Sequence, residues 1–408
     1  MKDTDSYFST YKELLILTTW AIVIGAIVAL IEVVFGKGLE FIFGIRAELG
    51  NVLFFGLPFA GLLIVFIFDH WGKISRRGMN LVFEVEQGIS NIIPLRLVPF
   101  MIGSTWLTHL FGGSAGREGV AVQIGATISH FIGRKVYQYK DASTIFLVAG
   151  IAAGFSGLFS TPIAAVFFSI EVLVAGTLKY RAMGPAFAAS FTACFVSSLF
   201  GLHRSSFLID IGFDLNYELG FKLIILGIIF GIVGGAFASC LMKTKHFIHD
   251  QFKSPYIRIF CMGSILALLL FIVFQGRYSN LGENLIEASV YGGMIYSWDW
   301  ILKFVFTIFT LSIGFQGGEV TPLFSIGASL GCVLASFFGI PAPLCAAMGY
   351  VAVFGAGTNT FLAPIAIGME IFGYQYFPLF FVICCVSYLT NRNQSIYALQ
   401  QRAGLDIK

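Results

Sequence analysis

Long apolar stretches dominate this chain, and short polar stretches separate them. Several of them reach about the 20 residues with which an α-helix crosses a bilayer: Leu14–Phe35, Val52–Phe68, Met183–Phe200, Phe221–Leu241, Ile257–Phe274 and Trp298–Phe315. Others are short, rich in Gly or broken by Pro, namely Glu118–Ile132, Ser143–Leu158, Pro322–Phe338 and Leu362–Phe372. A membrane tolerates such short segments only where protein surrounds them or a cavity hydrates them. The pattern predicts an all-α polytopic membrane protein with some broken, re-entrant helices.

The composition supports this class. Hydrophobic residues make up 57% of the chain and charged residues only 12%, against the roughly 25% charged residues of typical soluble domains. The first apolar stretch is too long for a signal peptide and has no small-residue cleavage site. We therefore expect a multi-pass protein of the plasma (bacterial cytoplasmic) membrane, inserted without cleavage. Basic residues mark the candidate cytoplasmic loops: Lys73, Arg76, Arg77, Arg134, Lys135, Lys140, Lys179, Arg181, Lys243, Lys245 and Lys253.

Metal, cofactor and enzyme chemistry have little support in the sequence. The seven cysteines lie in or beside apolar segments without the spacing of metal ligands, and the six histidines are scattered. A His-Glu-x-x-His motif is absent, as is a nucleophile placed beside a base. We expect no metal site, no cofactor and no nucleic-acid partner, and we expect a transporter rather than an enzyme.

A charged pair lies in the apolar stretch around Gly116-Arg117-Glu118-Gly119. Ionisable groups at membrane depth are costly and usually face a cavity or an ion path. An apolar helix begins near this carboxylate, and the N–H groups and dipole of a helix N-terminus attract anions. Glu118 is therefore a candidate functional residue, and the alternative is that Arg117 and Glu118 form a structural pair at a helix start.

Two motifs recur along the chain at the same spacing. The Ile-Gly-Ala of residues 124–126 recurs at 326–328, and the Phe-x-x-Pro-Ile-Ala of residues 159–164 recurs at 361–366. Both offsets are 202, since 326 − 124 = 202 and 361 − 159 = 202. The shared offset indicates that the two halves of the chain are structural copies.

We therefore predict one transmembrane domain over residues 1–408, made of two structural repeats at about 14–200 and 217–408, without a soluble regulatory domain. Under the same offset, the loop at Gly116-Arg117-Glu118 corresponds to Gly318-Glu319-Val320. Paired broken segments in repeated halves point to a substrate site at the repeat interface, near the membrane midplane.

Four motifs in order make the chain resemble the CLC family of anion channels and transporters. They are residues 116–125, residues 149–171, residues 317–322 and Tyr397, so that the resemblance covers nearly the whole chain. It implies a homodimer with one ion pathway in each protomer, built from inverted repeats whose helix N-termini converge on dehydrated anions. It also implies that Glu118 is the gating glutamate, Tyr397 the central tyrosine and residues 319–321 the second anion-binding loop.

Several positions depart from the common pattern of that family. Met79 stands where chloride-handling members have a serine, Val120 replaces a proline, and Val320, followed by Thr321, replaces a phenylalanine. This set resembles the fluoride/proton antiporter branch. We interpret Met79 as a selectivity residue, although a methionine at helical spacing is more often a core residue.

The residues support anion exchange on chemical grounds as well. Backbone N–H groups at helix ends, with the hydroxyl groups of Thr321 and Tyr397, can replace the hydration of an anion. Phe83 can turn the positive edge of its ring towards a small anion, although core packing is the commoner role of a Phe. An ionised Glu118 competes with the anion for the same donors and leaves them when it is protonated.

The sequence is compatible with more than one route for protons. Chloride/proton exchangers of the family have two acidic residues at the end of the helix that contains Glu171, and the second position here is Val172. Either Glu118 reaches the inner side itself, or protons enter by another path, or the protein is uncoupled. Glu319 is an acidic residue beside an anion site, with either a functional role or a structural hydrogen bond to a neighbouring loop.

The sequence thus favours a fluoride/proton antiporter that exports fluoride from the cytoplasm, with fluoride and protons as its ions and the lipid bilayer as its surroundings. The predicted site consists of Glu118 as the proton-linked gate and Met79, Phe83, Val320, Thr321 and Tyr397 around the anion. The alternative is a chloride-type CLC exchanger or channel.

Overall fold

The computed structural model describes residues 2–136, 142–202 and 206–403, with side chains from Tyr11 onward. Lys140, one of the predicted cytoplasmic basic residues, lies outside these ranges. The described residues fold almost entirely into helices. In chain order these are α1 (Lys2–Leu49), α2 (Leu57–Ile67), α3 (Met79–Glu86), α4 (Leu97–Leu110), α5 (Glu118–Gly133), α6 (Ala142–Phe159), α7 (Pro162–Glu171), α8 (Met183–Leu199), α9 (Tyr217–Gln251), α10 (Pro255–Ile272), α11 (Glu283–Tyr291), α12 (Asp299–Ile313), α13 (Val320–Phe338), α14 (Ala342–Thr358), α15 (Leu362–Phe372) and α16 (Phe377–Thr390).

Two short strands complete the fold. Strand β1 (Val174–Ala175) follows α7, and β2 (Gln401–Arg402) lies near the C-terminus. The two strands pair in parallel, with Val174 opposite Gln401 and Ala175 opposite Arg402. This small sheet joins the last described residues to the end of α7.

The predicted all-α, multi-pass membrane architecture is confirmed. Within the described ranges, six helical segments are long and apolar enough to cross a membrane. Leu362–Phe372, predicted as a short segment, is α15. Glu118–Ile132, also predicted as short, is α5 with one more residue.

Other predicted lengths were wrong. Ser143–Leu158 and Pro322–Phe338 lie within α6 and α13, which have 18 and 19 residues and are among the segments able to cross a membrane. Their glycines pack against neighbouring helices instead of ending the helix. The stretch Trp298–Phe315, predicted as long, forms only the 15 residues of α12. That helix ends at Gly314, whose φ of 120° a side chain rarely permits.

The stretch Val52–Phe68, predicted as a single span, is divided. A 3₁₀ helix covers Gly50–Gly56, and α2 begins only at Leu57. Pro58 lies in the first turn of α2. Backbone N–H groups there have no acceptor within the helix, so the N–H group that proline lacks costs the helix no hydrogen bond. The proline therefore marks a helix start that the hydrophobic pattern does not reveal.

The helices of the two halves follow each other in the same order. Helices α4 and α12 begin 202 residues apart (299 − 97 = 202), as do α5 and α13 (320 − 118 = 202). Helices α1–α8 precede residue 200, and α9–α16 follow residue 216. The two-repeat organisation remains a prediction, and this correspondence favours it.

Close helix crossings connect equivalent pairs of helices in each half. A Cβ atom on Gly125 of α5 would lie 2.0 Å from the carbonyl oxygen of Gly150 in α6. In the second half, a Cβ atom on Gly327 of α13 would lie 2.1 Å from the carbonyl oxygen of Gly349 in α14. Small residues allow helix backbones to approach closely in a membrane, where packing replaces the hydrophobic effect. These crossings pack α5 closely against α6 and α13 closely against α14.

Helices α7 and α15 cap each other with carboxylates. Glu171, the last residue of α7, accepts hydrogen bonds from the N–H groups of Phe361, Leu362 and Ala363 at the start of α15, at 2.5–3.2 Å. Glu370 near the end of α15 accepts from the N–H groups of residues 163 and 164 at the start of α7, at 3.1 and 2.8 Å. A helix N-terminus leaves such N–H groups without partners inside the helix, and a carboxylate there is favourable.

Candidate functional site

The loops that precede α5 and α13 meet through a pair of backbone hydrogen bonds. The N–H group of Gly116 donates to the carbonyl oxygen of Gly318 at 2.6 Å, and that of Gly318 donates to the oxygen of Gly116 at 2.7 Å. The two positions are related by the offset of 202 found in the sequence, since 318 − 116 = 202. This bridge brings the N-termini of α5 and α13 together inside the protein.

Helix α12 fixes the first of these loops. Lys303 of α12 is fully buried, and its Nζ donates to Ser114 Oγ at 2.9 Å and to the carbonyl oxygen of Asn280 at 2.7 Å. The N–H group of Ser114 donates to Thr310 Oγ1 at 3.1 Å. A buried ammonium group needs such acceptors around it. The loop before Glu118 is therefore held by polar contacts from the second half of the chain.

Glu118 is the first residue of α5, and its side chain is fully buried. The hydroxyl group of Thr321, at the start of α13, donates a hydrogen bond to Glu118 Oε2. The N–H group of Arg117 donates to the same oxygen at 3.3 Å. The carboxylate thus lies where the two helix N-termini converge, and it uses donors from both halves of the chain.

Arg117 contacts two carboxylates. Its Nε lies 3.7 Å from Glu118 Oε1, and its guanidinium Nη2 lies 3.2 Å from Glu283 Oε1 on α11. The second contact has hydrogen-bond geometry, whereas the first does not. The Arg117–Glu118 pair considered from the sequence is therefore the looser of the two contacts, and Glu283 is the main partner of Arg117.

The predicted residues of the second loop lie at the start of α13, whose Thr321 contacts Glu118. Val320 and Thr321 are buried in the first turn of α13. Glu319 precedes that helix, and its Oε1 lies 3.5 Å from Lys245 Nζ on α9. The sequence suggested a neighbouring loop as the structural partner of Glu319, whereas the structure supplies a basic residue of a helix.

Met79, Phe83 and Tyr397 form a second group. Met79 begins α3, and Phe83 is fully buried one turn further on. The rings of Phe83 and Tyr397 lie 5.5 Å apart between centroids. Tyr397 is buried, and in the described part of the chain its hydroxyl makes no hydrogen bond to another protein group, so this hydroxyl can donate to an ion.

The two groups are neighbours through α5. A Cβ atom on Gly78, immediately before Met79, would lie 3.1 Å from Oε1 of Gln123. Gln123 lies on α5, and its amide donates to the carbonyl oxygen of Gly119 at 3.0 Å. In the described ranges, no hydrogen bond or ring contact joins Glu118 or Thr321 directly to Met79, Phe83 or Tyr397. The structure thus brings the predicted site residues together as two adjacent groups.

Val172 and Glu171 bear on the proton route. Val172 is fully buried, and its carbonyl oxygen accepts a hydrogen bond from Gln400 Nε2 at 2.9 Å. Both carboxylate oxygens of Glu171 are used by the N–H groups at the start of α15. The end of α7 is therefore occupied by structural hydrogen bonds.

Sequence reasoning missed several buried ionisable residues, among them Lys303 and Glu32. Lys303 is a single cation in the apolar stretch Trp298–Phe315, and Glu32 is a single acid in the stretch Leu14–Phe35. Glu32 is fully buried in α1, and both of its carboxylate oxygens lack a hydrogen-bond partner in the described part of the chain. The principle that singled out Glu118, an ionisable group at membrane depth, would have found both.

The fold and this site define the class of protein. The sequence profile of the family described as "Voltage gated chloride channel" matches residues 60–392. The chain belongs to this family, the CLC family of anion channels and transporters, as its sequence motifs predicted.

Three individual proteins show how far the similarity extends. The chain is 35% identical to a chloride/fluoride channel protein of Pseudomonas syringae pv. tomato over 351 residues, which cover 85% of this chain and 77% of that protein. A crystal structure of a CLC-type fluoride/proton antiporter matches with a TM-score of 0.94 and 49% identity, over 96% of this chain and 99% of that one. The crystal structure of a slow cyanobacterial Cl⁻/H⁺ antiporter matches with a TM-score of 0.79 and 20% identity, over 92% of this chain and 94% of that one, and it shares the fold.

Proposed function

We propose that this protein is a fluoride/proton antiporter that exports fluoride from the cytoplasm. The observation that carries the proposal is the hydrogen bond from the Thr321 hydroxyl to the buried Glu118 carboxylate, where the N-termini of α5 and α13 meet. The 49% identity to a CLC-type fluoride/proton antiporter supports fluoride over the chloride alternative, because the chloride/proton antiporter among the matched structures is only 20% identical.

Proton coupling follows from competition for one set of donors. An ionised Glu118 carboxylate accepts hydrogen bonds from Thr321 and from the N–H group of Arg117. A proton that binds to this carboxylate removes its negative charge and weakens it as an acceptor. The donors then become available to fluoride, whose charge they stabilise with the dipoles of the two helices. Proton binding and fluoride binding at this place are thereby linked.

We assign the preference for fluoride over chloride to the neighbouring group formed by Met79, Phe83 and Tyr397. In this proposal, Met79, Phe83 and Tyr397 contact the anion beside Glu118, and Val320 contributes with Thr321 from the first turn of α13. Tyr397 has a hydroxyl group available for an ion, while Met79 supplies no hydroxyl where chloride-handling members have a serine. A Met79→Ser variant should narrow the preference for fluoride over chloride, and an unchanged ratio of the two efflux rates would reduce Met79 to a packing residue.

The central experiment replaces the carboxylate of Glu118. Glu118→Gln keeps nearly the same volume but cannot ionise, and Val172 supplies no internal proton acceptor instead. Fluoride turnover should therefore fall to near background without loss of the fold. Proteoliposomes with a fluoride gradient, recorded with a fluoride electrode and a pH electrode together, measure both ions. Glu40→Gln, at an exposed position of α1, is the matched control and should exchange like the parent.

The outcomes separate the two candidate functions. Proton-coupled fluoride efflux at the parental rate in Glu118→Gln would contradict the proposed mechanism. Rapid fluoride efflux without proton movement would keep Glu118 as a gate and favour a channel. Chloride efflux that equals or exceeds fluoride efflux in the parent protein would favour the chloride-type exchanger.

We also propose that the protein acts as a homodimer in the plasma membrane, with a complete pathway in each protomer. The proposal rests on membership of the CLC family, since family resemblance implies this assembly. The mass of the protein in a mild detergent tests it, and a mass of one chain would contradict it.

A further inference from the structure

Tyr397 lies in an irregular part of the chain. The segment that follows α16, residues 391–403, contains no helix, and only β2 near its end is regular. Before Tyr397, the N–H group of Ile396 donates to the carbonyl oxygen of Gly357 at 2.9 Å. After Tyr397, two glutamine side chains from different parts of the sequence hold the segment.

The first glutamine is Gln87, the residue immediately after α3. Its Nε2 donates to the carbonyl oxygen of Leu399 at 2.6 Å. Helix α3 also carries Met79 and Phe83, and the Phe83 ring contacts the ring of Tyr397. Gln87 therefore joins the helix of the predicted selectivity residue to the backbone two residues after Tyr397.

The second glutamine is Gln400. Its Nε2 donates to the carbonyl oxygen of Val172 at 2.9 Å and to that of Thr358 at 3.1 Å. The amide thereby uses both of its hydrogens. It connects the segment to the end of α7 and to the end of α14 at once.

These glutamine hydrogen bonds matter because no helix or strand orients Tyr397. A site that binds a small ion needs its donor held within a fraction of an ångström, and supporting hydrogen bonds provide this. The Tyr397 ring packs against Phe83 and Phe168, with centroids 5.5 and 6.5 Å away. Ring packing alone permits sliding, whereas the two amides fix the backbone on the C-terminal side of the ring.

We propose that Gln87 and Gln400 are positioning residues that hold the Tyr397 hydroxyl at a fixed distance from α3, and thereby set the preference for fluoride over larger anions. This inference rests on the proposed function and deepens it. A loosened Tyr397 moves away from a small ion but still accommodates a larger one, so loss of either amide favours chloride relative to fluoride.

The test uses Gln87→Met and Gln400→Met, because methionine has a similar length and flexibility but no amide donor. Gln401→Met is the matched control, since Gln401 is the next residue and is exposed. Purified variants in proteoliposomes are compared by the ratio of fluoride to chloride efflux. Each glutamine variant should lower this ratio about fivefold, the change that the loss of one ordinary hydrogen bond produces in an equilibrium. The control should keep the parental ratio.

A double-mutant comparison shows whether the glutamines act through Tyr397. In a Tyr397→Phe background the hydroxyl is absent, so adding Gln400→Met should leave the efflux ratio unchanged. An equal fall in both backgrounds would overturn the inference and make Gln400 a general structural residue.

Other results also decide the inference. A parental ratio of fluoride to chloride efflux in both single variants overturns the inference. Failure of both variants to fold, as judged by size-exclusion chromatography, also overturns the inference. If only Gln400→Met fails to fold, Gln87→Met decides alone, because it leaves the contacts of Gln400 intact. A parent protein that does not exchange fluoride for protons contradicts the proposed function, whereas an exchanging parent with unchanged variants contradicts this inference alone.

Discussion

Glu118, on which the proposed mechanism depends most, is a buried carboxylate. Burial of an ionised carboxylate is costly unless hydrogen bonds to donors offset the lost hydration. Glu118 is fully buried, and it receives such bonds from Thr321 and from the N–H group of Arg117. A donor that stabilises the ionised carboxylate will also stabilise an anion that takes its place.

Thr321 provides a test of this shared donor. Thr321→Val keeps the shape of the side chain and removes the hydroxyl. Loss of a hydrogen bond to a charged group costs about 1.5–3 kcal/mol, so the affinity for fluoride should fall by at least about tenfold. Titration calorimetry in a Glu118→Gln background, where no carboxylate competes for the hydroxyl, measures fluoride binding by itself. Thr18→Val, where the hydroxyl only bonds back to Leu14 of its own helix, is the control. Equal affinity in Thr321→Val and the parent would place the fluoride site elsewhere.

At the scale of elements, short helices depend on what caps them. Helices α7 and α15 have 10 and 11 residues, lengths at which an isolated helix is marginal in water. Each receives a carboxylate from the other at its N-terminus, from Glu370 and Glu171 respectively. The two helices therefore stabilise each other as a pair.

Removal of one of these charges should destabilise the pair. Glu370→Gln replaces one acceptor oxygen with an NH₂ group that faces N–H donors, and a buried donor without a partner costs about 1–3 kcal/mol. The thermal unfolding midpoint in detergent should therefore fall. Glu171→Gln should lower it similarly and keep proton-coupled fluoride exchange, because both oxygens of Glu171 serve the helix end. The control is Glu48→Gln at an exposed position of α1. Loss of coupling in Glu171→Gln at an unchanged midpoint would make Glu171 a proton acceptor instead of a cap.

At the scale of the molecule, the two halves of the chain meet at the backbone of Gly116 and Gly318. A Cβ atom on Gly318 would lie 2.9 Å from the backbone nitrogen of Gly119, a contact that real Cβ atoms do not make. The close approach of the two loops thus depends on glycine, and Glu118 lies two residues after Gly116.

Gly318→Ala should therefore separate the two loops. Overpacking of a close contact typically costs about 1–3 kcal/mol, so both the unfolding midpoint and fluoride turnover should fall. Gly103→Ala in α4, where a Cβ atom has nothing within 4 Å, is the matched control and should be neutral or slightly stabilising. A Gly318→Ala variant with parental turnover and midpoint would show that the bridge can open without effect on the site.

The sequence by itself determined those features that depend on local patterns. Apolar length predicted the multi-pass helical class, because the thickness of a bilayer sets the length of a spanning helix. The isolated charge at Glu118 singled out a candidate gate, and the motifs around it led to the CLC family. The common offset of 202 paired Gly116 with Gly318. Helix ends such as that of α12 were less predictable, since they depend on single glycines and prolines.

Only the tertiary structure decided which groups meet. The donor for Glu118 is Thr321, 203 residues away, and Gln87 reaches Leu399 across 312 residues. Lys303 holds the loop before Glu118, and Glu171 caps a helix in the other half of the chain. Hydrophobic patterns are similar for many arrangements of apolar helices, so they do not specify such pairs. A buried polar group, in contrast, is stabilised by a matching partner within about 3 Å, and the folded chain alone brings such partners together.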